Sequence, residues 1–334
     1  MRRARKRLRS TVSVLIGLAL LTGCTGTGTA DGGAVDSPLE PLPPAPTADS
    51  TAPNEDSAEP GEACEDPTAS YAPVGEVPEP EDFAPGSTMA EIRDRGHLRV
   101  GVSSDSVNLS SRDPFTREIV GFDVDVASWI AEAVIGDPDA LEFVVLEARQ
   151  RASALEADDV DIVARAYTIT CNRWERVAFS AEYLHSSQRL LVDRDDEIDG
   201  VGDLEGRTVC AAAQTTTIEA LDAIPGITIV PGRTHTDCLV KFQQRTVDAI
   251  SADDTVLAGL AVQDPHAKVV GPPMSAEPYG VATHRDEVDL VETINAVLEE
   301  RVADGSWMSS YETWFASTLG PVDSAPTPVY GRAP

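Results

Sequence analysis

From residue 98 to residue 252 the chain alternates apolar patterns of two periods, and this alternation constrains the fold more than any other feature. Residues 97–102 (HLRVGV) alternate with period two, as a half-buried strand does. Val126, Ile130, Ala133 and Val134 then recur on one face of a helix. Residues 143–146 form a second expected strand, 149–157 a second helix and 161–164 a third strand. Strands separated by helices in this way pair in parallel through right-handed crossovers. The same order returns downstream, with strands expected at 188–193, 207–212, 227–230 and 247–252 and helices at 215–223 and 236–245. Leu290, Ile294, Val297 and Leu298 mark an amphipathic helix, which Gly305 ends before a last helix at 307–315. The expected fold is α/β: two parallel-sheet lobes joined by two hinge strands, with residues 88–188 and 277–319 in the first lobe and 189–276 in the second. Two lobes on two strands imply a hinge and a cleft between them.

Ligands of such sheets sit at the carboxyl ends of the strands. Residues 160–180, VDIVARAYTITCNRWERVAFS, concentrate chemistry there. A buried strand gives way to a polar turn with Thr168, Thr170 and Asn172, and a helical turn then carries Arg173. A strand end, backbone amides, a hydroxyl and a fixed cation converge on one spot. That spot suits a small carboxylate, because a guanidinium matches it with two parallel hydrogen bonds. The structural alternative for Arg173 is a surface ion pair with Glu175 or Asp161.

This stretch resembles the ITIT-x-x-R segment of the family 3 extracellular solute-binding proteins, and residues 121–125 (GFDVD) resemble the GFDVDL that opens that family's first helix. The resemblance runs, with gaps, from Leu98 to Phe315, and within the family it points to the actinobacterial glutamine/glutamate-binding lipoproteins. It implies a two-lobed periplasmic-binding-protein fold of type II and a free amino acid as ligand. Carried over by position, Arg173 grips the ligand's α-carboxylate, with Thr168 and the Ala166 backbone beside it. Thr215 and Thr216 open a helix whose amides face the same carboxylate, although Gln214 stands where the family has glycine. Asp253 pairs with the α-ammonium, and the adjacent Asp254 is the alternative. Arg151 meets a side-chain carboxylate, with Arg112 and then Arg165 as further candidates for that task. Residues 104–111 hold none of the aromatics that the family often stacks on its ligand, which argues for a small polar one.

The N-terminus reads as an address. Arg2, Arg3, Arg5, Lys6, Arg7 and Arg9 precede an apolar run at 12–21 that is too short to span a bilayer comfortably. Leu21-Thr22-Gly23-Cys24 resembles a lipobox, so residues 1–23 are expected to be removed and Cys24 to be acylated, which would anchor the chain at the membrane. Residues 24–87 are Pro-rich and acidic, with no Lys or Arg between Cys24 and Arg93 beyond them. They are expected to form a disordered tether, and the Pro-rich tail from residue 320 is expected to be disordered too. Of five cysteines, Cys64, Cys171, Cys210 and Cys238 remain for disulfides. The expected pairs are Cys210–Cys238, within the second lobe, and Cys64–Cys171, which fixes the end of the tether beside the ligand turn. No CxxC pair occurs and the five histidines are scattered, so no metal and no cofactor is expected.

A net charge of −30 argues against nucleic acid as a partner and requires a locally positive pocket for any acidic ligand. The expected protein is a monomeric, lipid-anchored receptor on the extracytoplasmic face of the cell membrane. It takes glutamate or aspartate ahead of glutamine or asparagine. Its expected partner is the permease of an ABC importer or a transmembrane sensor. An enzyme of the cyclohexadienyl dehydratase kind shares the fold, but no nucleophile elbow and no Ser–His or Cys–His arrangement appears in the sequence. A scaffold with a degenerate pocket is the remaining class.

Overall fold

The computed structural model describes residue 64 and residues 66–333. The expected leader, Cys24 and the tether before residue 64 lie outside the described residues.

The first lobe opens with α1 (Thr88–Arg95), capped by the Ser87 side chain, which accepts from the Ala90 amide, and stopped by Gly96 in the left-handed region. Next come β1 (Leu98–Val102), the short strands β2 (Asp105–Ser106), β3 (Ser110–Arg112) and β4 (Ile119–Val120), and α2 (Phe122–Ile135). The strands β2, β3 and β4 form a small three-stranded sheet of their own. Gly121 joins it to α2 at φ 141°, where an added Cβ would lie 2.1 Å from the Leu109 carbonyl oxygen, so only glycine fits. The lobe continues through β5 (Leu141–Val145), α3 (Arg151–Glu156), β6 (Ile162–Val163), α4 (Cys171–Trp174) and β7 (Val177–Phe179).

A long strand, β8 (Leu184–Asp193), crosses to the second lobe: β9 (Thr208–Ala212), α5 (Thr216–Asp222), β10 (Thr228–Gly232), α6 (His235–Gln243), β11 (Ala249–Asp253), α7 (Asp254–Gln263) and β12 (Ala267–Val270). The chain returns through β13 (Ala276–Tyr279), antiparallel to β8, into β14 (Ala282–His284), α8 (Val288–Ala303), α9 (Ser306–Trp314) and α10 (Ala316–Leu319).

The first sheet has the order β5-β1-β6-β14-β7 and the second β10-β9-β11-β8-β12. Neither is wholly parallel. β1 runs parallel to β5 and β6, and β9 to β10 and β11, whereas β14 and β8 are antiparallel to their neighbours. The crossing and returning strands enter each sheet against its direction, which the pattern of alternation alone does not reveal.

Val126, Ile130 and Val134 of α2 are fully buried against the first sheet with Phe122, Trp307 and Phe315, each aliphatic side chain contributing about 1.5–3 kcal/mol. Leu190, Val192, Val209 and Ala249 form a separate core in the second lobe.

Two expectations of disorder are corrected. The segment before residue 88 is part of the fold from residue 66 on: Ser70 and Tyr71 are buried, and Asn295 donates to the Ser70 hydroxyl and the Tyr71 carbonyl. The tail is also fixed. Ser70 bridges Tyr330, and the Arg332 guanidinium lies 3.7 Å from the centre of the Trp174 ring. Backbone pairing holds these Pro-rich segments, and composition carries no sign of it. Disulfides join Cys210 to Cys238 and Cys64 to Cys171. The first closes a 28-residue separation, worth about 3–4 kcal/mol in the chain-entropy account.

Candidate functional site

β6 is only two residues long, and beyond it the chain departs from sheet geometry at once. Ala166 takes φ 41°, in the left-handed region. Two buried groups hold it there: its amide donates to Asp123 Oδ2 at 3.2 Å, and its carbonyl accepts from the Arg151 guanidinium at 2.9 Å. Asp123 also accepts from the Tyr183 hydroxyl at 2.7 Å, and burial raises its pKa to about 6. The chain then runs along the returning hinge strand. Thr168 bridges Tyr279, the Ile169 amide donates to the Pro278 carbonyl, and the Gly280 amide donates to the Tyr167 carbonyl. The hinge thus positions the turn directly.

Arg173 sits on α4, whose first turn is capped by the Thr170 hydroxyl, accepting from the Arg173 amide. The Cys64–Cys171 disulfide enters at the same turn, and the Trp174 indole donates to the Pro67 carbonyl at 2.8 Å. Arg173 is 3% exposed, so it is not a solvated surface cation. Its guanidinium donates to the Thr168 carbonyl at 2.7 Å and lies 4.8 Å from the Tyr167 ring centre. Arg151 opens α3 and is 4% exposed. It donates from Nε to the Ala148 carbonyl and lies 4.0 Å from the same ring. Two buried guanidinium groups therefore share Tyr167. Carbonyl oxygens and the ring face compensate their loss of water.

The second lobe supplies Asp253, at the end of β11 and 9% exposed. Its carboxylate makes no cap on α7; instead it accepts from the Tyr279 hydroxyl at 2.5 Å. Burial, reinforced by the neighbouring Glu277, raises its pKa from 3.8 to about 7, against the pull of Tyr279 and of Arg151. Asp254 is turned away, accepting from the Ser186 hydroxyl on β8. Thr215 precedes α5, but its hydroxyl donates back to the Ala212 carbonyl and does not cap the helix, and Thr216 donates to Glu277 at 2.8 Å. Gln214 takes φ 57°, the conformation for which glycine is suited, and lines a small cavity with Arg151, Tyr167 and Arg173. The backbone shape of a glycine turn is thus kept at some strain.

Arg112 is not brought to this cluster. It is exposed on β3 and donates to the Arg117 carbonyl of its own hairpin. Arg165 is buried near the cluster. Sequence reasoning missed Asp123, Tyr183 and Tyr279, which position Ala166 and Asp253. A signal was present for Asp123, an acid wedged between apolar residues after a glycine at the start of α2. Among the described residues no group of His, Cys, Asp and Glu is placed to hold a metal ion, and no helix is long and apolar enough to cross a membrane.

Two α/β lobes on paired hinge strands, with buried charges at the strand ends, define a binding protein of the type II periplasmic class. The chain belongs to the bacterial extracellular solute-binding proteins, family 3, whose model matches residues 98–317. It is 29% identical over 229 residues to the ABC transporter glutamine-binding protein GlnH of Bacillus subtilis (68% of this chain, 84% of that one). It is 30% identical over 239 residues to the glutamate-binding protein GluB of Corynebacterium glutamicum (68% and 81%). Among solved structures it is similar to the P235GK mutant of ArgBP from T. maritima, with TM-score 0.64 and 30% identity over 68% of this chain and 99% of that one. It is also similar to an ancestral arginine-binding protein bound to glutamine, with TM-score 0.62 and 31% identity over 66% and 98%.

Proposed function

We propose that this solute-binding protein is an extracytoplasmic receptor for a free amino acid, taking glutamate or aspartate ahead of glutamine or asparagine. The observation that carries this reading is the pair of buried guanidinium groups, Arg151 and Arg173, over Tyr167, set against the buried carboxylate of Asp253. In this reading Arg173 and the Gln214–Thr216 turn take the α-carboxylate, with Ala166 and Thr168 beside them. Asp253 takes the α-ammonium, and Arg151 takes the anionic side chain. The raised pKa of Asp253 supports its role, because a carboxylate between desolvation and a second acid gains most from an incoming cation. The relatives named for glutamine and glutamate support the ligand class. The glutamine-binding relative is named as part of an ABC transporter, which supports an importer permease as partner, with a transmembrane sensor as the other candidate. Residues 1–23 are read as a leader, Cys24 as the lipid attachment and residues 24–63 as a spacer, with the receptor acting as a monomer. No catalytic group is assigned.

The test is calorimetric titration of the full-length mature protein, unfolded and refolded to strip carried ligand. Micromolar binding of L-glutamate or L-aspartate, about −8 kcal/mol, is expected. Arg151→Ala should weaken both by about tenfold or more and the amides by less. Failure to bind any amino acid would overturn the reading.

A further inference from the structure

Beside the arginines over Tyr167 lies a second cavity of about 540 Å³, walled by Ser103, Asp105 and Arg165 of the first lobe and by Thr234, Thr236 and Asp237 of the second. Arg165 is 5% exposed, and its Nε is buried without a partner. Among the described residues its guanidinium makes no hydrogen bond and no ion pair. Asp105, Asp123 and Glu147 act on it through space, but each is engaged elsewhere. Asp105 accepts from the Ser103 hydroxyl at 2.8 Å, Asp123 from Tyr183 and Ala166, and Glu147 from Arg149. A cation taken from water and left unmatched is costly and is kept where something else supplies the anion.

Across the cavity stands the first turn of α6, nine residues long and capped by Thr234. A helix start offers unpaired amide donors and the positive end of its dipole. His235 there is held neutral, its pKa lowered to about 4 by burial and then by Arg165. The Arg165 backbone lies next to the amino-acid site: the Arg151 guanidinium that holds the Ala166 carbonyl at 2.9 Å also approaches the Arg165 carbonyl at 3.4 Å.

We propose that Arg165 and the first turn of α6 form a second specificity element of the cleft, which holds the ligand's side-chain carboxylate jointly with Arg151. Asp105, facing the same cavity, limits how far that carboxylate reaches. The proposal rests on the amino-acid reading above. It gives the second lobe a direct part in recognising the side chain, so that an anionic side chain draws the lobes together across this cavity.

The test titrates the full-length mature protein, its Arg165→Gln variant and its Asp105→Asn variant with glutamate, aspartate, glutamine and asparagine. Arg165→Gln should weaken the two acids by about tenfold or more while the amides stay within about threefold. Asp105→Asn, with one repelling charge removed, should shift the acid-to-amide ratio the other way. An unchanged ratio in both variants overturns the proposal and leaves the amino-acid reading standing. Wild-type protein that binds no amino acid overturns both. Arg165→Met gives a readout independent of binding. Because no partner is lost, the ligand-free variant should melt no lower than wild type. A fall of more than about 4 °C would mark a structural role and overturn the proposal. If Arg165→Gln does not fold, the Asp105→Asn ratio and this melting comparison decide.

Discussion

Asp253 shows most clearly how environment changes the chemistry of a common residue. Folded and ligand-free, it keeps a proton up to about pH 7; unfolded, it loses that proton near 3.8. Between those values the folded form holds more protons, so this group's contribution to stability is full below the lower value. It is lost as pH rises through the upper one. Binding runs the opposite way, because the α-ammonium needs the ionised carboxylate. Affinity should therefore rise from pH 6 to pH 8, by up to about tenfold per unit below 7, with a proton released on binding. Titrations in buffers of different ionisation enthalpy would show that proton, and Asp253→Asn should abolish both the release and the slope. A flat profile in the wild type would remove Asp253 from the site. The positions of Arg173 and Asp253 just after strands are legible in the sequence because each lies in a short pattern, and both side chains are buried there. Arg112 lies exposed and away from the cluster because its position depends on which hairpin its loop makes, and no local pattern encodes that. Tyr279 escaped notice because its role comes from a hydroxyl meeting a residue 26 positions away.

At the scale of elements, the turn bearing Arg173 is braced from three sides. Thr170 caps it, Cys64 is bonded to its first residue, and Trp174 packs between Tyr71 and Phe179. A four-residue helix has little stability of its own, so these outside contacts set its geometry. Replacing Cys64 and Cys171 together by serine should lower the melting temperature and weaken ligand binding. Replacing Cys210 and Cys238 should lower the melting temperature with a smaller effect on binding, because that pair lies between β9 and α6. Parallel thermal melts and titrations of the two variants check this; equal binding losses would contradict it. Periodicity located β1, β5, β6, β8, β9, β10 and β11 and the helices α2, α3, α5, α6, α8 and α9, but not the short strands β2, β3 and β4, nor β7 and β12. It overextended β6 and α3 because burial patterns continue past the last ladder hydrogen bond. It missed the ordered tail because a Pro-rich segment can be held by a backbone bridge without any apolar period.

For the whole molecule, a surplus of negative charge surrounds a cleft in which Arg151, Arg165 and Arg173 are all buried. In the proposed reading the overall field repels an acidic ligand at distance and the cleft attracts it at contact, so that specificity would arise from local charge placed on rigid elements. Lobe architecture was legible from the doubled βαβ order. The mixed strand directions were not, because sheet direction is set by where the hinge strands enter. The central claim is that Arg173 and Asp253 grip the two α-groups of a free amino acid. The most direct test is to titrate the refolded mature protein with L-glutamate, with glutarate, which lacks the α-ammonium, and with 4-aminobutyrate, which lacks the α-carboxylate. Each analogue forfeits at least one charge-assisted pair and should bind about 100-fold more weakly than glutamate. Either analogue binding as tightly as glutamate would contradict the clamp.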